Sequence, residues 1–212
     1  FLFAQNDEFD AEIRARFFDV WQQAARGELA HWRDTLQGRL AEIILLDQFS
    51  RNLFRNSSQA FAQDLAALIL AQEAVRQPSF ADLLSHERHF MLMPLMHSES
   101  QVVHEQAVPL FERYTDGHAL DFEIKHKVII DRFGRYPHRN AVLGRESTEE
   151  EAEFHHAGCK VRALRLRLCP AFSDKAASTA PAANPASAAF SPPYRSGCQL
   201  SLPEARFGFP AR

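Results

Sequence analysis

Between Phe9 and Phe133 the apolar residues of this chain return every third or fourth position. A chain patterned in this way hides its apolar surface by laying helix against helix, because a strand would need alternation of period two. Phe9, Ile13, Phe17, Val20 and Trp21 make the first stripe. Gly27 is placed to end it, since glycine takes the left-handed C′ conformation at little cost. A second helix is expected from about Thr35 to about Phe54. A third is capped by Ser57 or Ser58 and carried by Phe61, Leu65, Leu68 and Ile69. A fourth follows Pro78, with Ser79 as its cap, and meets Pro94, which is expected to end or kink it. A fifth runs from about Ser100 to Tyr114 and stops at Asp116-Gly117, and a sixth from about Leu120 to Phe133. In Ser147-Thr148-Glu149-Glu150-Glu151 either hydroxyl finds a Glu three residues on, the capping-box pattern that announces a short last helix. No run reads as a strand. Short connections favour antiparallel pairs, so the class is all-α. No strict internal repeat is visible, so any repeat architecture is degenerate.

Composition bounds the rest. The formal net charge of -3 argues against a general nucleic-acid binder. No apolar run approaches a membrane span, and no secretory signal precedes the first helix. Residue 1 is Phe, from which a missing native start is expected. Cys159, Cys169 and Cys198 all follow residue 155. Disulfides therefore do not frame the core, and a cytoplasmic home is the simplest expectation. Near Phe154 the chain changes character: Ala, Ser and Pro dominate, and seven of the eleven prolines lie beyond it. Two regions are expected, a helical domain over 1–155 and an Ala/Pro/Ser-rich tail over 156–212 that is disordered, too poor in apolar surface to offset the entropy of ordering.

Polar residues interrupt the apolar faces. Asp47 and Arg51 continue the stripe begun by Leu40, Ile43 and Ile44, and their spacing of four lets them pair. Gln48 and Asn52 form a second such pair, with Arg55 one turn beyond Arg51. His126 falls inside the stripe of Phe122, Ile129, Ile130 and Phe133, where a hydrogen-bonded core histidine is the plainer reading than a catalyst. Arg132, Arg135, His138, Arg139, Asn140 and Arg145 crowd the turn after it, around Gly134 and Pro137. Guanidinium groups bind carboxylate and phosphate in two-pronged fashion. A buried ion-pair network is the competing account. Met93-Pro94-Leu95-Met96-His97-Ser98-Glu99 supplies His97 and Glu99 as candidate base and orienter. Standard zinc spacings are absent, so no metal and no cofactor are called for.

The segments Leu45 to Asn52, Pro94 to Glu99 and Arg132 to Asn140, with Leu143-Gly144-Arg145 and Ser147-Thr148, resemble a bacterial family catalogued as domain of unknown function 924. The resemblance spans about residues 5–154. It implies a tetratricopeptide-like α-α superhelix of helix pairs, and it implies no activity. It also implies an earlier helix than this chain carries and an ending with Pro-Gly. Here His155-His156-Ala157-Gly158-Cys159-Lys160 follows instead, which one base along can encode Thr-Thr-Pro-Gly. A frameshifted tail is the resulting expectation, and the coding DNA tests it.

Three functions compete. In the first, an inter-helix pocket binds a small anion, phosphate or carboxylate. Asp47, Gln48, Arg51, Asn52, Arg55, Arg132, Arg135, Arg139, Asn140 and Arg145 hold the ligand. His97, Glu99, His126 and His138 are the candidate catalytic groups of its hydrolytic form. In the second, a helical groove takes a protein partner; tetratricopeptide likeness suggests this by fold analogy alone. In the third the arginines only pair with carboxylates. Neither nucleic acid nor membrane is an expected partner.

Overall fold

The computed structural model describes residues 6–156. The expectations for residue 157 onward, including the three cysteines, lie outside the described residues. All described residues belong to one compact unit, and none of them is in a strand. Eight α-helical segments follow in order: α1 Asp7–Ala25, α2 Leu36–Ile43, α3 Ser50–Leu53, α4 Asp64–Val75, α5 Ser85–Met96, α6 Gln101–Tyr114, α7 Gly117–Phe133 and α8 Glu149–His156. Consecutive helices from α4 to α7 pack on one another, α2 lies on α4 and α5, and α1 lies on α3.

The caps follow from side-chain chemistry. Asn6 accepts from the N–H groups of Glu8 and Phe9, and Asp7, Glu8 and Asp10 complement the positive end of α1. Ser100 caps α6 and Asp116 caps α7, which therefore starts at Gly117 rather than near Leu120. Thr148 and Glu151 form the expected capping box of α8: the Thr148 N–H donates to Glu151 at 2.8 Å, and the Glu151 N–H donates to the Thr148 hydroxyl at 3.2 Å. Gly134 ends α7 at φ +68°, a conformation that strains any residue with a Cβ. Gly134→Ala is expected to lower stability by about 1 kcal/mol in urea denaturation, and an unchanged midpoint would contradict this account of the turn.

Three local expectations change. The helix expected from Thr35 to Phe54 is interrupted: between α2 and α3, Ile44–Phe49 form a π-helical turn, a widening that is frequent at functional sites. Ser57 caps only a short 3₁₀ turn, Ser58–Phe61, and α4 begins later, at Asp64. The fourth helix does not start after Pro78 with Ser79 as its cap: Pro78–Asp82 form a 3₁₀ turn, and α5 begins at Ser85, carries Pro94 within it and ends at Met96.

The apolar face of α4 is also reversed. Leu65 and Ile69 were expected inward, yet they are 68% and 51% exposed. Ala67, Ala71 and Ala74 are fully buried instead. α4 is apolar nearly all round, so spacing alone selects no face. The alanines lie inward because α4 is held between α2 and α5, where small side chains allow close approach. The main core gathers Ile43, Leu46, Phe80, Leu92, Leu95 and Phe111 around them. A smaller cluster of Ile129, Ile130 and Tyr136, with Phe133 and Phe154 packed against it, supports the turn after α7. No helix among the described residues is long and apolar enough to cross a membrane.

Candidate functional site

The π turn carries Asp47 into the interior, where it is fully buried. Its carboxylate meets three donors: Gln48 from the same turn, Arg51 at 3.0 Å and His97 Nδ1 at 2.7 Å. Burial opposes ionisation, but the charges of Arg51 and His97 and these hydrogen bonds outweigh it, holding the Asp47 carboxyl well below the ordinary carboxylate range. A carboxylate only accepts, so His97 carries its proton on Nδ1, which leaves Nε2 as the acceptor when the ring is neutral.

His97 closes α5 and lines a cleft of about 380 Å³. Arg139 enters the same cleft from the 3₁₀ turn Pro137–Arg139. Its guanidinium lies 4.6 Å from both the Phe61 and the Tyr136 ring centroids. It donates to Asp64 at 3.2 Å and to the His97 carbonyl at 3.0 Å, while its Nε is buried with no partner. Burial lowers the Arg139 pKa, and Asp64 opposes that shift. Asp64 Oδ2 also receives Arg51, at 3.1 Å. Glu99, at the edge of the cleft, is gripped by Arg145 at 2.6 Å and by the Tyr136 N–H at 2.8 Å. Burial disfavours its charge, yet the Arg145 hydrogen bond and the Tyr136 N–H prevail and lower its pKa. Arg51, Arg139 and Arg145 thus face Asp47, Asp64 and Glu99, a balanced set before His97 is counted.

Behind His97 stands His126, with ring centroids 6.5 Å apart. Its Nδ1 donates to the Phe122 carbonyl at 2.7 Å. The Asp131 carboxylate, further along α7, pairs with Lys127. Burial pushes the His126 pKa down to about 3. Because the folded value lies below the unfolded one, the neutral ring's contribution is complete above about pH 6.5 and is lost as pH falls toward about 3, by up to ~1.4 kcal/mol per pH unit. Between pH 7 and pH 5 this amounts to about 2 kcal/mol. His126→Gln is expected to flatten the stability–pH curve over that range, and two parallel curves would refute the assignment.

The remaining candidates lie elsewhere. Asn52 and Arg55 both donate to Asp10 of α1, Asn52 at 2.8 Å. Arg132 pairs with Glu150 at the surface and stacks over Phe133. Arg135 is engaged by Glu151 at 2.6 Å and by the Glu146 carbonyl at 2.9 Å. The Arg135 hydrogen bond, against the cost of burial and with the help of Thr148, holds the Glu151 pKa at about 2. Asn140 joins Ser147 and Glu151. His138 is exposed, with its ring 5.5 Å from that of Tyr136. The structure therefore brings Asp47, Gln48, Arg51, His97, Glu99, Arg139 and Arg145 to one locality, with His126 behind them. Asn52 and Arg55 brace α1, while Arg132, Arg135 and Asn140 brace α8.

Sequence reasoning missed Asp64, Phe61 and the buried pair His104–Glu123. Nothing in the spacing of Asp64 marks it, since it merely opens a helix. His104 and Glu123 lie on α6 and α7, and only the packing of those helices joins them. Among the described residues no group of three or more His, Cys, Asp or Glu is arranged to hold a metal ion. A second hollow, of about 270 Å³, lies beside Arg33 and Arg39. Arg33 is committed to Glu42 at 2.6 Å and Arg39 to the Arg33 carbonyl at 2.7 Å, so this hollow offers less to a ligand.

The chain matches, over residues 1–158, the family model described as bacterial protein of unknown function (DUF924). The chain belongs to this family. A solved structure of a protein of unknown function from Agrobacterium tumefaciens is similar to it, with 35% sequence identity and a TM-score of 0.70. That likeness covers 74% of this chain and 89% of the Agrobacterium protein. No curated protein matches the chain. Family and fold are thereby established together, and the reading of activity rests on the cleft.

Proposed function

We propose that the cleft beside His97 binds a small anion, a phosphate or carboxylate, and that His97, oriented by Asp47, acts as general base in a hydrolytic step. The observation that carries this reading is Arg139. A buried N–H without an acceptor costs free energy, and Arg139 Nε is such a group in a side chain only 7% exposed. Two rings clamp the guanidinium at the cleft, where an arriving oxygen would find further donors. The surrounding arginines and carboxylates balance, so the anion is held by directed hydrogen-bond donors of the cleft rather than by a net positive charge. A buried carboxylate fixing the Nδ1–H of a histidine at a cleft is the arrangement that leaves Nε2 free to take a proton from water.

A protein-scaffold role draws support from exposed Val102, Ile124 and Val128 on α6 and α7. The cleft, where Asp47, His97 and Arg139 meet, is the stronger candidate. Thermal unfolding of the chain with inorganic phosphate or short carboxylates tests the reading. The expected result is a concentration-dependent rise in Tm, with about 2.7 kcal/mol of added stability at a hundredfold excess over Kd. Arg139→Gln is expected to abolish the rise. A Tm insensitive to every anion tried would rule the site out.

A further inference from the structure

We infer that the ligand of this cleft is an amphiphile, an anionic head joined to a short apolar arm. The inference rests on the anion-site reading above. The walls of the cleft are of two kinds. The end of α5 and the turn at Arg139 present His97, Ser98, Glu99 and Arg139. Glu99 there is already engaged by Arg145, and Asp64 Oδ2 by Arg51 with Arg139, so the open polar groups are His97, Arg139 Nε and Asp64 Oδ1, the last an acceptor that a hydroxyl of the head would meet. The facing wall, from the turn before α4 and α4 itself, is apolar apart from Asp64 and Ser58, with Phe61, Leu65 and Leu68.

Leu65 is the informative residue. It lines the cleft and is nevertheless 68% exposed, and Ile69, one turn further along the same face, is 51% exposed. Among the described residues these side chains stay outside the core, because α4 offers it the alanine face, Ala67, Ala71 and Ala74. An apolar strip therefore leads away from a polar end. A wholly polar ligand would leave the strip wet, and a wholly apolar one would leave Arg139 Nε without an acceptor. An anion with an alkyl arm answers both: the head meets Arg139 and His97, and the arm covers Leu65 and Ile69. At about 380 Å³ the cleft lies near the small end of ligand sites, which suits a head and a few carbons.

Isothermal titration of the full chain with acetate, butyrate, hexanoate and octanoate, and with inorganic phosphate, tests this. Affinity is expected to tighten about two- to fourfold per added methylene until the arm outruns the strip. In Leu65→Ser and Ile69→Ser, both altered at exposed positions, the ratio of acetate to hexanoate Kd is expected to collapse by about tenfold or more. If phosphate and acetate bind but chain length has no effect, the amphiphile is overturned while the anion site stands. If nothing binds, both readings fall together. A chain-length series that Leu65→Ser and Ile69→Ser leave intact also overturns the inference, because the arm then lies elsewhere. A concentration-dependent dimer dissolved by Leu65→Ser would assign the strip to a second copy of the chain, with the same consequence.

Discussion

Replacing His104 with leucine is expected to cost the fold about 3–5 kcal/mol. His104 is fully buried, with Nδ1 2.7 Å from Glu123, itself fully buried, and Nε2 2.9 Å from the Ser98 carbonyl. Both ring nitrogens face oxygen: Nε2 donates to the Ser98 carbonyl, and Nδ1 shares a hydrogen bond with the Glu123 carboxyl. The Tyr136 hydroxyl completes the group, donating to the Met96 carbonyl at 2.5 Å and lying 3.2 Å from His104. Leucine fills the space but leaves Glu123 without its partner in a dry interior, and Glu123 Oε2 already has none. The second substitution separates this cause from lost packing. Removing both polar groups, in His104→Leu with Glu123→Leu, is expected to recover about 2–3 kcal/mol relative to the sum of the single losses. Equilibrium denaturation of the four proteins measures it, and strict additivity would show that the pair is not the source of the loss.

Arg139→Met is expected to lower stability by about 3 kcal/mol and to remove the anion-dependent rise in Tm. The stability term has three parts: the Asp64 ion pair, the hydrogen bond to the His97 carbonyl and the stacking between Phe61 and Tyr136. The unpartnered Nε works in the other direction, since methionine carries no donor to leave unsatisfied. Arg139→Lys separates stability from binding. It retains charge but loses the planar fork, so it is expected to keep part of the fold energy and little of the anion response. A stable Arg139→Met protein that still responds to phosphate would remove Arg139 from the site.

The helices were legible because their signals are local. Caps, glycine ends and apolar spacing act over a single turn, so Ser100, Gly134 and the Thr148–Glu151 box read directly from the chain. The Asp47–Arg51 contact was legible for the same reason, being one turn long. Local signals fail where a helix is apolar all round or where a turn changes its period. Leu65 and Ile69 were placed inward because nothing on α4 distinguishes one side from another. The π turn at Ile44–Phe49 went unread because its residues are ordinary helix formers. In the site, the arginines were visible as a group, but their partners were not. Arg55 goes to Asp10, Arg145 to Glu99 and Arg139 to Asp64, contacts between residues far apart in sequence.

By itself the sequence determined that this protein is helical, where several of its helices end, and which family it resembles, because each of these depends on patterns within a few turns or on contiguous motifs. Tertiary structure alone decided which arginines remain near a cleft and which are spent bracing α1 and α8. It also decided which side of α4 meets water. Those outcomes depend on which helices touch, and charge pairing and burial act between neighbours in space.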